Sequence, residues 1–181
     1  LDARGLMAFT DGSSHGSPGP AGSGVCFEGG GAGLPDQAWA RGRCTANDGE
    51  LFALRAAVET VFIARRAGLA ASHRAFVLTD SNINLGRLAA APKAADSRLL
   101  TDVRWAVARC REQGPLGLIW VPGHVGLEGI ERADDCAGRG SEMSKGTGVS
   151  ERCGGYEDFR FVTEEVAEMM LAKLLDMREG R

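Results

Sequence analysis

The chain has 181 residues, 44% of them apolar, which suits one globular core with something appended. No stretch approaches the roughly 18–20 apolar residues needed to cross a bilayer, and the N-terminus lacks a charged start followed by an apolar run, so no secretory signal is visible. The formal net charge of −3 counts against a domain that grips nucleic acid by charge alone, but not against a carboxylate site offset by metal ions. The first residue is Leu1, which fits a processed product or a fragment of a longer chain. The five cysteines are odd in number and show no C-x-x-C spacing, which points to reduced thiols in an intracellular setting, without a disulfide framework or zinc site.

Residues 6–11 (LMAFTD) read as a strand ending in a carboxylate, and 12–20 are turn chemistry rich in Gly and Pro. A second strand is expected over 21–28, where Gly22 and Gly24 leave room for close backbone approach, and a third over 36–43. From Asp48 the period changes. Leu51, Leu54, Val58, Val61 and Phe62 predict an amphipathic helix over about 50–67, opened by Glu50 and stopped by Gly68. Residues 75–80 (AFVLTD) read as a buried parallel strand ending in Asp80, with a short helix over 83–90 before Pro92. Leu100, Val103, Val107 and Cys110 mark another helix, and 116–121 (LGLIWV) a second buried strand. The turn-rich segment PGHVGLEG precedes a short helix over about 130–138. This order predicts a mixed sheet with helices packed on it. The chain then divides into a domain over 1–140, a Gly/Ser-rich linker over 141–161 and a C-terminal amphipathic helix over 162–181. In that helix Val162, Val166, Met169, Met170, Leu174 and Met177 would either pack on the parent domain or dock a protein partner through an adaptable Met-rich face.

Asp11 and Asp80 each close an apolar strand, so adjacent strands would set their carboxylates side by side; Glu50 begins a helix and Asp134 lies in a late one. Such acids repel one another unless cations compensate them, and hard oxygen ligands select Mg²⁺ or Mn²⁺. Two such ions can position a water and stabilise both oxygens of a phosphodiester displacement. Taken singly, Asp11 is equally a turn residue, Glu50 an early-helix charge and Asp80 a helix N-cap.

The surrounding motifs decide between these readings. FTDGSSHGSPGPAGSGV at 9–25, TANDGELFAL at 45–54, LTDS at 78–81 and WVPGHVGLEGIERADDCA at 120–137 occur in the order of the motifs of type 1 ribonuclease H, and the chain resembles that family over about residues 6–140. The resemblance implies a ribonuclease H-like five-stranded mixed sheet with helices on both faces, plus the C-terminal helical extension. It places Asp11, Glu50, Asp80 and Asp134 on the metal-binding acids for two Mg²⁺ ions, with Mn²⁺ as a substitute, and His124 on a mobile-loop histidine. It implies hydrolysis of the RNA strand of RNA–DNA hybrids, with Gly12, Ser13, Ser14, Ser17, Asn47 and Ser81 facing the substrate. His15 and His73 match no motif position and read as exposed loop residues.

Several positions depart from the pattern. Ala46, Ser14, Ser17 and Ile130 replace residues usual in the family, and no Lys/Arg-rich loop lies between Asp80 and Trp120. This handle-less form is similar to the ribonuclease H domains of non-LTR retrotransposons, whose parent polyproteins could supply further nucleic-acid contacts. The competing expectation is a ribonuclease H-like domain recruited as a structural or nucleic-acid-binding subunit of a larger assembly, with little or no turnover. Other nucleases of this shape fit less well, because Asp11 is followed by Gly12-Ser13 and the PGH loop is present.

Overall fold

The computed structural model describes residues 5–30, 33–68 and 74–146. Five strands and four helices follow in the order β1 (Leu6–Ser14), β2 (Gly19–Glu28), β3 (Gln37–Cys44), α1 (Ala46–Arg66), β4 (Ala75–Thr79), α2 (Asn82–Ala89), α3 (Arg98–Glu112), β5 (Leu116–Trp120) and α4 (Glu128–Gly146). They form a single sheet of order β3-β2-β1-β4-β5. The first three strands pair antiparallel, while β4 lies parallel to both β1 and β5. The expected mixed α/β sheet with helices on both faces is what the chain forms.

Strand alternation divides the apolar residues between two cores. Leu6 and Ala8 of β1, with Val25 and Phe27 of β2, face a large core closed by Leu51, Leu54, Val58 and Val61 of α1 and by Leu100, Val103 and Val107 of α3. Phe9 and Cys26 face the opposite side, against Ile130, Ala133 and Cys136 of α4. Cys26, Cys44, Cys110 and Cys136 are buried free thiols. Cys26 and Cys136 meet at Sγ–Sγ 3.8 Å beneath α4, with Asp36 beside them held by Arg132.

Two boundaries and the burial of one strand differ from the sequence expectation. Helix α1 starts four residues before Glu50, because Thr45 and Asp48 form a capping box in which each side chain meets the other's backbone nitrogen. Glu50 therefore sits in the second turn rather than opening the helix. Strand β5 is buried only at its start: it is a sheet edge, with Leu116 in the core but Ile119 39% and Trp120 51% exposed. Helix α4 continues to Gly146, so residues 141–146 are helix and not linker. The small residues responsible are packing devices. A Cβ on Gly140 would lie 2.3 Å from the Trp39 carbonyl oxygen. The buried Ser144 hydroxyl donates to the Ala21 carbonyl at 2.6 Å and accepts from the Arg41 amide at 2.9 Å. The rest of the expected linker, His73, Cys153 and the amphipathic segment 162–177 lie outside the described residues.

Candidate active site

The site is set by strand register. Thr10 of β1 pairs with Thr79 of β4 in the parallel ladder, and each is followed by an acid, so Asp11 and Asp80 leave the sheet from neighbouring positions. Glu50 reaches the same point from α1 because the helix lies unusually close to β1. A Cβ on Gly12 would sit 2.2 Å from the Glu50 amide nitrogen, and one on Gly49 would sit 2.8 Å from the Gly22 carbonyl oxygen. Side chains at either position would lift α1 off the strand. One carboxylate oxygen from each of Asp11, Glu50 and Asp80 lies within 4.8 Å of the others. Asp134 approaches from α4, near enough for its charge to act on the Asp11 carboxyl.

The electrostatics of this cluster are those of crowded acids. Burial pushes the Asp11 carboxyl up to about 8; the Gly12 amide, donating at 2.8 Å, opposes the rise, and the charges of Asp80 and Asp134 add to it. Burial also raises Glu50, against hydrogen bonds from Ser81 and Asn84 that favour its charged form. Asp80 Oδ1 is buried without a hydrogen-bond partner among the described residues. A buried carboxylate oxygen with no donor is costly, and a cation placed among these hard oxygens would satisfy it and neutralise the repulsion. The residues present therefore fit a divalent metal of the Mg²⁺ or Mn²⁺ type.

A family model for RNase H matches residues 3–142. The chain belongs to the RNase H family. No curated protein matches it in sequence. Solved structures resemble it throughout the RNase H domain. RNase H1 from the halophilic archaeon Halobacterium salinarum NRC-1 is 28% identical, with a TM-score of 0.54 over 76% of this chain and 98% of that one. The N-terminal RNase H domain of Rv2228c from Mycobacterium tuberculosis, solved fused to maltose-binding protein, is 23% identical, with a TM-score of 0.59 over 77% of this chain and 95% of that one. LC11-RNase H1, solved in complex with an RNA/DNA hybrid, is 22% identical, with a TM-score of 0.58 over 77% of this chain and 99% of that one.

Around the acid cluster the remaining sequence-predicted residues fall into two groups. His124 is exposed in the loop after β5, in the left-handed region at φ 54°. Its neighbour Gly123 lies against Asp80, where a Cβ would be 2.3 Å from Oδ2. Gly12 and Ser13 continue β1 beyond Asp11, while Ser17 and Asn47 are exposed in the first turn and at the start of α1. By contrast, the Ser14 hydroxyl is engaged with the carbonyls of Gly16 and Cys44. Ser81 is buried, caps α2 by accepting from the Asn84 backbone amide, and favours the charged form of Glu50. His15 is exposed and pairs with Glu142 at 2.9 Å. Sequence reasoning missed Asn84, whose buried amide also reaches Glu50 at 3.2 Å. The available signal was a polar residue one helical turn after Asp80, on the inward face of a short helix.

Proposed function

We propose that the chain is a metal-dependent endonuclease that hydrolyses the RNA strand of RNA–DNA hybrids, leaving 3′-hydroxyl and 5′-phosphate ends. The observation that carries this reading is the meeting of Asp11, Glu50 and Asp80 around a partnerless Asp80 oxygen, with Asp134 against Asp11. RNase H family membership and the likeness to a structure holding an RNA/DNA hybrid support it. Asp11, Glu50, Asp80 and Asp134 would hold two Mg²⁺ ions. When bound, such ions polarise the scissile phosphate and lower the pKa of water. Asp11, on which burial and the neighbouring acids favour a proton, would release it to ligate a bound cation. His124 would assist proton transfer or product release from its exposed loop. Gly12, Ser13, Ser17 and Asn47 would contact the hybrid, with 2′-hydroxyls marking the RNA strand. Ser14 and Ser81 act from behind, by holding the first turn and Glu50.

The net charge of −3 favours one second reading, a domain that works as a scaffold or binding subunit within a larger assembly. A labelled RNA–DNA hybrid, incubated with the protein and Mg²⁺, separates the two. Cleavage that disappears with EDTA and in Asp11→Asn supports the nuclease. Intact hybrid with the wild-type protein at saturating Mg²⁺ or Mn²⁺ removes it and leaves the scaffold.

A further inference from the structure

Asn84 is completely buried, at 0% exposure, in the first turn of α2. A buried amide in this position costs free energy unless its polar atoms are matched, and here they are. Its nitrogen donates to the Asn47 carbonyl at 2.9 Å and to Glu50 Oε2 at 3.2 Å, and its oxygen accepts from the Arg87 guanidinium at 3.2 Å. The chemistry of the partners fixes which way the amide faces. A guanidinium only donates, whereas a carbonyl and a carboxylate only accept. Rotating the amide by half a turn would set an oxygen against two acceptors and an NH₂ against a donor. Arg87 thus orients Asn84, and Asn84 presents its two N–H groups to the first two turns of α1, where Glu50 stands.

We propose that Asn84 is a positioning residue of the active site, oriented by Arg87, which holds the Glu50 carboxylate in the attitude that binds the divalent cation. This rests on the nuclease reading above. Asn84 does not touch the substrate or the ion; it acts through Glu50. Ser81, the N-cap of α2, also favours the charged form of the same carboxylate. Leucine would fill the volume between α1 and α2 equally well, but it would release Glu50 to turn away from Asp11 and Asp80. Partners that orient metal ligands are typically worth about 10–100-fold in metal affinity or activity.

The test uses the full chain with Asn84→Asp, Asn84→Ala and Arg87→Met. Asn84→Asp is nearly isosteric, yet sets an acceptor against the Asn47 carbonyl and the Glu50 carboxylate. Two readouts are followed against Mg²⁺ concentration: the rise in Tm and the rate of hybrid cleavage. Asn84→Asp and Asn84→Ala should each need about 10-fold more Mg²⁺ or more to reach the midpoint of both curves, with KM for the hybrid within about twofold of wild type. Arg87→Met should shift the midpoint in the same direction by less, and it carries the test if both Asn84 variants fail to fold. A Mg²⁺ midpoint unchanged in the folded variants, beside a wild type that binds Mg²⁺ and cleaves, overturns the role of Asn84 alone. A wild type that neither gains Tm from Mg²⁺ nor cleaves overturns the nuclease reading and this inference with it.

Discussion

Gly123 packs so closely on Asp80 that a Cβ built on it would lie 2.3 Å from the carboxylate Oδ2. The loop bearing His124 is thereby seated on Asp80 of the acid cluster. In Gly123→Ala the new methyl must displace either the loop or Asp80. The expected result is a fall in cleavage rate of about 10–100-fold with Tm changed by only a few degrees, since the loop is exposed. Gly126→Ala is the control: it sits at φ +78° with nothing within 4 Å of its Cβ. It should cost about 1 kcal/mol in backbone strain and leave the acids undisturbed. Equal activity losses in both variants would show that loop strain, not contact with Asp80, matters.

Asp11 gives the metal-free protein an unusual pH dependence. Its carboxyl keeps a proton up to about pH 8 in the folded state, against an ordinary 3.8. Between those limits the native chain holds more protons than the unfolded chain, so stability falls as pH rises. In EDTA the Tm should decline between pH 5 and 8, by an amount corresponding to roughly 1–3 kcal/mol. Saturating Mg²⁺ at pH 8 should recover it, and Asp11→Asn should flatten the profile and raise the metal-free Tm at pH 8. A wild-type profile that is flat, or that rises with pH, contradicts the burial of an acid among acids.

Glycines in β2 set how closely α4 approaches the sheet. A Cβ on Gly24 would lie 2.1 Å from the Ala133 carbonyl oxygen and 2.6 Å from the Ala137 nitrogen, backbone atoms that cannot rotate aside. Gly24→Ala should therefore destabilise the chain by roughly 2–3 kcal/mol, lowering Tm by about 5–10 °C. Because α4 carries Asp134, cleavage should weaken as well. Gly138→Ala, on the same helix with nothing within 4 Å of its Cβ, should leave Tm unchanged or raise it slightly. Were Gly24→Ala as stable as wild type, α4 would not be seated on these glycines.

The features legible in the sequence are those encoded locally. The apolar runs LMAFT and AFVLT mark two strands, and each is followed by an acid. The spacing from Leu51 to Val61 marks α1, and the motifs around Asp11, Glu50, Asp80 and Asp134 mark the family. What escaped depends on contacts between distant segments. Gly140, Ser141 and Ser144 have the composition of a linker until Trp39, Gly22 and Ala21 are placed against them. LGLIW is apolar enough for a central strand, and only the sheet order makes it an edge. Asn84 looks like an ordinary early-helix residue until Glu50 arrives from 34 positions away.

Arg55 poses the same problem in the core, since a charge amid the apolar residues of α1 gives no sequence sign of its purpose. It is buried, and its guanidinium bridges Glu59 at 3.2 Å on the same helix and Asp102 at 2.9 Å on α3. Arg55→Met keeps the length of the stem but strands two carboxylates at the α1–α3 seam. The loss should be roughly 3 kcal/mol at pH 8, with Tm down by about 6–12 °C and the specific activity of the folded fraction retained. The deficit should shrink at pH 5, because burial already raises Glu59 and, without Arg55 to oppose it, the carboxyl takes a proton more readily. Adding Glu59→Gln should recover part of the loss at pH 8. A deficit that is independent of pH would mean that Arg55 acts through packing of its stem and not through its charge.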